Sequence, residues 1–425
     1  MIKYKQLKRW RIDEMEGLFK ELFNKYARLV VKTGVNIQPG EVLVVSSPIE
    51  CADFARSIAE AAYLEGARDV VMKWGDELSA KLRFLHAAED VFDQFPQWEK
   101  ELYVSNANNG AAFISIAASD PELMRDVDPN RLSKAQKSRS IALREFYERT
   151  MSNRNTWCVA SVPTVSWAKK VFPGTEADEA VDKLWNLIFT ATRVNTEDPV
   201  AAWDIHKKQL KQRLDFLNST RFKSLHYHNA AGTDLTIELP DDHIWLGGSD
   251  KTPEGVEFIA NMPTEEVFTL PYKYGVNGRG VSTMPLNYNG KLIENFSFTF
   301  KDGKVIDLKA EKEEEILRKL IETDENAAYL GEVALVPYHS PISDTKVLFY
   351  NTLFDENASC HLALGEAYPI CLKNGESMTK DQLEKAGVNT SLIHEDFMVG
   401  SADLNITGIT ADGREVPVFI NGDWA

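Results

Sequence analysis

The chain has 425 residues, 44% of them hydrophobic and 26% charged, and a formal net charge of −16. That length suits two domains that each bury a core, and apolar runs such as VLVV at 42–45 are too short to cross a membrane. The acidic balance excludes a general nucleic-acid surface, which draws its affinity from clustered Lys and Arg.

The opening MIKYKQLKRWRIDEMEGLFKELF starts basic but lacks the apolar core and cleavage site of a secretory signal, so it reads as an amphipathic helix leading into the first domain. GEVLVVSS then reads as a buried strand, CADFARSIAEAAYLEGA as a helix closed by Gly66, and RDVVMKW as a second strand. A strand-helix-strand unit implies parallel strands joined by a right-handed crossover, so the first half is expected to be α/β. Its turn, SSPIEC, is no glycine-rich cradle, which argues against a dinucleotide site. NTWCVASVP and TVSWAKKVFPG suggest a further strand and helix, and helices are expected at about 176–193 and 199–218.

From Phe222 the pattern turns to short alternating strands: FKSLHYHN, TDLTIELP, SFTFKDGKVIDLKAE and ADLNITGITADGREVPVFING. Asp302-Gly303 and Asp412-Gly413 are hairpin turn signals, and an amphipathic helix is expected at about 310–325. The expected division is an α/β N-terminal domain over 1–220, including the basic leader, and a mixed, strand-rich α+β catalytic domain over 221–425.

The second half also carries the chemistry. Glu265 and Glu266 in NMPTEEVFTLP lie in or just before an extended segment, where neighbours point to opposite faces, so one of the two is expected to reach a site; the sequence leaves open which. Glu332 heads EVALVP, a run apolar enough to be a buried strand, and a carboxylate there needs a metal or a salt bridge. DENASCHLALGEAYP reads as a helix begun by Asn357 or Ser359, on which the seven-residue step from His361 to Tyr368 returns to the same face. His394 and Asp396 are two apart in LIHEDF, so on a strand both project to one side and Glu395 to the other.

Carboxylates and imidazoles are the usual ligands of zinc, cobalt or manganese, and a shared carboxylate can bridge two such ions. His226 and His228 form a second His-x-His spacing, read as structural because no carboxylate motif follows. His86, His206, His243 and His339 stand in ordinary contexts. Cys360, beside His361, reads as a buried structural thiol, and the four cysteines, Cys51, Cys158, Cys360 and Cys371, form no CxxC pair, which fits a reducing cytoplasm. No GxSxG elbow or HExxH helix is present.

NMPTEEVFT, LGEVALVP, ENASCHLALGEAYP and the His394-x-Asp396 pair resemble, in order and spacing, the motifs of the aminopeptidase T family of metal-dependent aminopeptidases, which includes PepS-type enzymes. The resemblance runs from about residue 24 to the C-terminus. It implies that Glu266, Glu332, His361, His394 and Asp396 ligate two divalent metal ions, with Glu332 bridging and Tyr368 at the centre as ligand or transition-state partner. Glu356 is implied more weakly, as a ligand or as the group binding the substrate amine. Glu266, Glu332 and Tyr368 are the implied catalytic residues.

The implied reaction removes the N-terminal residue from peptides with a free α-amine through a water activated by two metals, in a cytoplasmic homodimer with a secluded active site. Departures are the leader before residue 24 and Met284 in STMPLN, where a basic residue is expected; the latter bears on substrate preference. The alternatives are a dinuclear hydrolase of another amide and a binding protein that keeps the fold.

Overall fold

A computed structural model describes residues 17–288 and 291–425, so the first 16 positions of the basic leader lie outside the described residues. Two compact units emerge. The first comprises the described residues up to Asp204 together with Ser249–Met262, and the second comprises Ile205–Gly248 and Pro263–Ala425.

The first unit is built on a five-stranded sheet in the order Asn261–Met262, Trp157–Ala160, Ala112–Ile116, Val42–Pro48, Asp69–Gly75. Every pairing in it is parallel. Leu43, Val44 and Val45 are consecutive and all fully buried, as expected for a parallel strand covered on both faces. The helix Ala52–Leu64 makes the crossover from Val42–Pro48 to Asp69–Gly75 and ends at Gly66, whose φ of +97° suits a residue without a Cβ. Helices also form at Ala177–Ala191 and Pro199–Thr220, as the periodicity suggests.

A single boundary near 220 does not describe these units. They part between Asp204 and Ile205, and the chain returns at Ser249–Met262 to give the first sheet its outermost strand. A two-residue strand, Asn261–Met262, carries no periodicity by which sequence could assign it.

The second unit contains an eight-stranded sheet and a five-stranded one. The larger runs Lys304–Lys309, Ser297–Lys301, Val276–Val281, Asp234–Glu238, Ser224–His228, Asn405–Ile409, Glu415–Ile420, Asp423–Trp424, antiparallel throughout. Both expected hairpins form, and Asp302 and Gly303 take φ of 49° and 84°, the left-handed pair that a tight hairpin demands.

The smaller sheet has the order His394–Met398, His361–Gly365, Leu330–Leu335, Val267–Thr269, Leu246–Gly247, also antiparallel. Val333, Leu335, Leu362, Leu364 and Phe397 from this sheet join Leu225, Tyr227, Ile237 and Phe298 from the larger one in a single core. Alternation then sends Glu332, Ala334, His361, Ala363, His394 and Asp396 to the opposite face.

The expected helix over DENASCHLALGEAYP does not form. A four-residue helix, Thr352–Asp355, runs into a 3₁₀ turn, Glu356–Ala358, and His361–Gly365 is a strand paired on both sides. The tertiary setting decides: Leu362 and Leu364 reach the core only with a period of two, and a central sheet position satisfies every backbone group of the segment. No helix among the described residues is long and apolar enough to cross a membrane.

Candidate metal centre

Three neighbouring strands and the residue preceding a fourth bring the charged side chains together. Glu332 stands across from Ala363, Ala363 from Asp396, and His361 from Ala334. Ala334 and Ala363 thus form a floor of single methyl groups among four long polar side chains, which leaves room above it. Glu266 arrives from the end of Val267–Thr269, whose Val267 pairs with Leu335.

Ligand-capable atoms of Glu266, Glu332 and His361, and again of Glu332, His394 and Asp396, lie within 4.8 Å of one another. Glu332 belongs to both groups. Its Oε1 is 3.6 Å from His361 Nε2 and its Oε2 is 3.6 Å from His394 Nε2. Glu266 Oε2 completes the first group at 3.3 Å from His361 Nε2, and Asp396 Oδ1 the second at 3.5 Å from His394 Nε2.

The far nitrogen of each imidazole is anchored. His361 Nδ1 donates to the Ser359 carbonyl at 3.0 Å, and His394 Nδ1 to the Glu366 carbonyl at 2.7 Å. A carbonyl only accepts, so both Nδ1 atoms carry a proton, and the Nε2 atoms turned toward the carboxylates are the ones that a metal would take in place of a proton.

Electrostatics point the same way. Burial opposes charge on His361, yet contacts with Glu266 and Glu332 and the field of Asp396 hold its pKa well above the ordinary value. For His394 burial again opposes, but Asp396 and Glu332 prevail and push it up to about 10. Burial raises Glu332 against the pull of both histidines, and burial with the charges of Glu266 and Asp396 raises Glu356 well above a usual carboxylate. Burial works to raise Asp396 too, but the two imidazoles prevail and hold it low.

These shifts describe a buried site with four acids, two histidines and too little positive charge. Among the described residues, buried Asp396 Oδ1 also accepts no hydrogen bond. Divalent cations on these nitrogen and oxygen donors would supply both the missing charge and the missing partner, so the donor set fits the metals that the sequence motifs imply.

The structure separates the acidic pair. Glu266 joins the centre, whereas Glu265 turns to His206, with its carboxylate 3.5 Å from Nε2, which also lies 2.8 Å from the Thr264 carbonyl oxygen. His206, read from sequence as unremarkable, is therefore the buried partner of the acid beside a site residue.

Tyr368 reaches the site from a turn after Gly365, its ring 5.0 Å from that of His394. Burial and the surrounding carboxylates push its hydroxyl far above the ordinary value, so it stays a neutral hydrogen-bond donor. Glu356 lies on the 3₁₀ turn, close enough for its charge to act on Glu332 and Tyr368.

Asn357, read from sequence only as a candidate helix start, is fully buried and holds the site together. Its Oδ1 accepts the Glu265 N–H at 2.7 Å and its Nδ2 donates to the Leu353 carbonyl at 3.0 Å, tying the Glu356 turn to the segment that delivers Glu266. The ENAS string was the available signal: an Asn directly after an acid of the motif.

The thermophilic metalloprotease (M29) family model matches residues 19–424. The chain belongs to that family. It is 50% identical over 406 residues to aminopeptidase 2 of Geobacillus stearothermophilus, covering 96% of this chain and 98% of that one. It is 49% identical to aminopeptidase AmpS of Bacillus subtilis, covering 96% of this chain and 99% of that one. The solved structure of AmpT from Thermus thermophilus superposes with a TM-score of 0.90 at 38% identity, covering 96% of this chain and 100% of that one. The chain is thus a metal-dependent hydrolase of a peptidase family, with the mixed α/β architecture of that solved relative.

Proposed function

We propose that this enzyme is an aminopeptidase which removes the first residue from peptides bearing a free α-amine and works with two divalent ions. The observation that carries the reading is Glu332, whose two oxygens face two different imidazoles. Glu266 and His361 would complete one ion's ligands, His394 and Asp396 the other's, and Glu332 would bridge. When bound, such ions polarise the scissile carbonyl and lower the pKa of the attacking water.

The chain's own groups supply the rest. With both Glu332 oxygens engaged, Glu266 is the carboxylate placed to take the water's proton and return it to the leaving amine. Tyr368, a neutral donor, hydrogen-bonds the oxyanion of the tetrahedral intermediate. Glu356, outside both ligand groups, is the partner for the substrate ammonium, a charge-assisted contact that a blocked N-terminus forfeits. Four buried cysteines without a CxxC pair support a reducing, cytoplasmic setting, and the homodimer implied by the motifs belongs to the same reading, checked by sedimentation.

The test is leucine release from a leucyl peptide and its N-acetylated twin, using protein stripped of metal and reloaded with cobalt or zinc. Metal-dependent cleavage of the free-amine peptide alone is expected. Equal cleavage of both peptides would remove the exopeptidase reading, and cleavage of neither would remove the peptidase reading.

A further inference from the structure

Beside the metal centre the second unit holds a cavity of about 180 Å³ that shares Glu356, His394 and Asp396 with it. Its other walls combine Met284, Leu348 and Tyr350 with the polar Asn287, Thr352 and Glu395. A cavity of about 150 Å³ is enough for one benzene ring, so this one has room for a single large side chain.

Tyr350 stands out by its backbone. Its φ is +55°, a left-handed conformation that a bulky residue adopts only when its surroundings impose it. Those surroundings are explicit. On one side Phe349 is fully buried and stacks on Phe354, ring centroids 4.8 Å apart. On the other, Asn351 caps the helix Thr352–Asp355 by accepting the Leu353 N–H at 3.1 Å. Beneath, the Asp355 carboxylate accepts the Phe349 N–H at 2.8 Å and the Asn351 N–H at 3.0 Å, clamping the turn from both ends. Asparagine or glycine would relieve this position, yet an aromatic residue occupies it and lines the cavity.

We propose that Tyr350 is a specificity-determining residue whose ring walls the subsite for the side chain of the peptide's first residue, and that Asp355 is the positioning residue that holds it there. The inference rests on the aminopeptidase reading and deepens it by naming the substrate class: peptides whose first side chain is large enough to reach the ring of Tyr350.

The experiment compares kcat/KM for leucyl- and alanyl-p-nitroanilide on the metal-loaded full chain, in wild type, Tyr350→Gly and Asp355→Asn. Glycine adopts the observed φ without strain, so Tyr350→Gly removes the ring and relieves the backbone, and the melting temperature is read alongside. The leucyl-to-alanyl ratio should fall about tenfold or more in Tyr350→Gly, as for a hydrophobic pocket that loses a wall. Asp355→Asn should lower the ratio in the same direction, and the double variant should lose less than the two single effects combined.

A ratio unchanged in Tyr350→Gly, or equal loss on both substrates, would overturn the proposal, as would a lowered melting temperature with the ratio intact, the signature of a merely structural residue. Those results arise with a wild type that turns over. A wild type that cleaves neither substrate overturns the aminopeptidase reading itself, and this inference with it.

Discussion

Two places in the second unit set a histidine two residues from another polar side chain on a strand, and they differ in everything else. On Ser224–His228, His226 pairs with Asp234 at 2.8 Å, and both side chains are well exposed, 39% and 74%. On His394–Met398, His394 and Asp396 face Glu332 and His361 in a buried setting, and the other imidazole nitrogen is tied to a backbone carbonyl. A histidine with a carboxylate is thus a common surface motif. A buried cluster in which four acids share two anchored imidazoles is not, because without a further cation part of its charge stays uncompensated.

The sharpest way to break this contrast is to remove one histidine from each place. His361→Ala should cut kcat/KM by roughly 10³-fold or more, as removal of a member of a cooperating catalytic set does, and should lower the bound metal measured by atomic absorption. His226→Ala should leave both unchanged. Retained turnover in His361→Ala would dissolve the distinction between the two places.

A subtler change targets the floor. Ala363 lies between Glu332 and Asp396 in the register, and a larger side chain there occupies the space above the methyl groups. Ala363→Leu should cost about 1–3 kcal/mol of stability through overpacking, read as a lowered denaturation midpoint. It should also reduce metal retention after dialysis far more than Leu362→Met on the core face, a swap that conserves volume.

Much of the candidate site was legible because its proposed ligands sat in strongly patterned segments. Glu332 heads a run buried at every position, and His394-x-Asp396 obeys the two-residue period of its strand. The His361 segment was misread because LALGEA has helix-forming residues, and only the sheets around it, invisible locally, impose the period of two. The choice between Glu265 and Glu266 was illegible for another reason: it depends on where His206, 59 residues earlier, comes to lie. The interleaved unit boundary fails on the same ground, since Asn261–Met262 becomes a strand only by meeting Trp157–Ala160.

Metal removal gives the two places opposite pH signatures. In the stripped protein His394 has a folded pKa raised from 6.5 to about 10. Its contribution to stability is therefore fully present below the unfolded value near 6.5 and fades as pH rises toward 10. Urea midpoints of stripped protein should fall over that window. Reloaded protein should lose this slope, since ligation requires the deprotonated imidazole and metal binding tightens as pH rises. A stripped protein whose midpoint rises between pH 7 and 9 would contradict the assignment.

The exposed pair should give the smallest effect, and of the opposite sign. Hydrogen bonding to His226 holds the Asp234 carboxyl below its usual value. A depressed carboxylate stabilises above its unfolded pKa and loses that contribution as pH falls through the folded one, so the effect of Asp234→Asn should be full above about pH 4 and fade below it. Both partners are solvated, so the loss in melting temperature should be slight at low salt and vanish near 1 M, where the screening length shrinks to about 3 Å. A loss that survives high salt would mean that this pair is shielded from solvent in the working protein, and that exposure alone does not separate the two histidine sites.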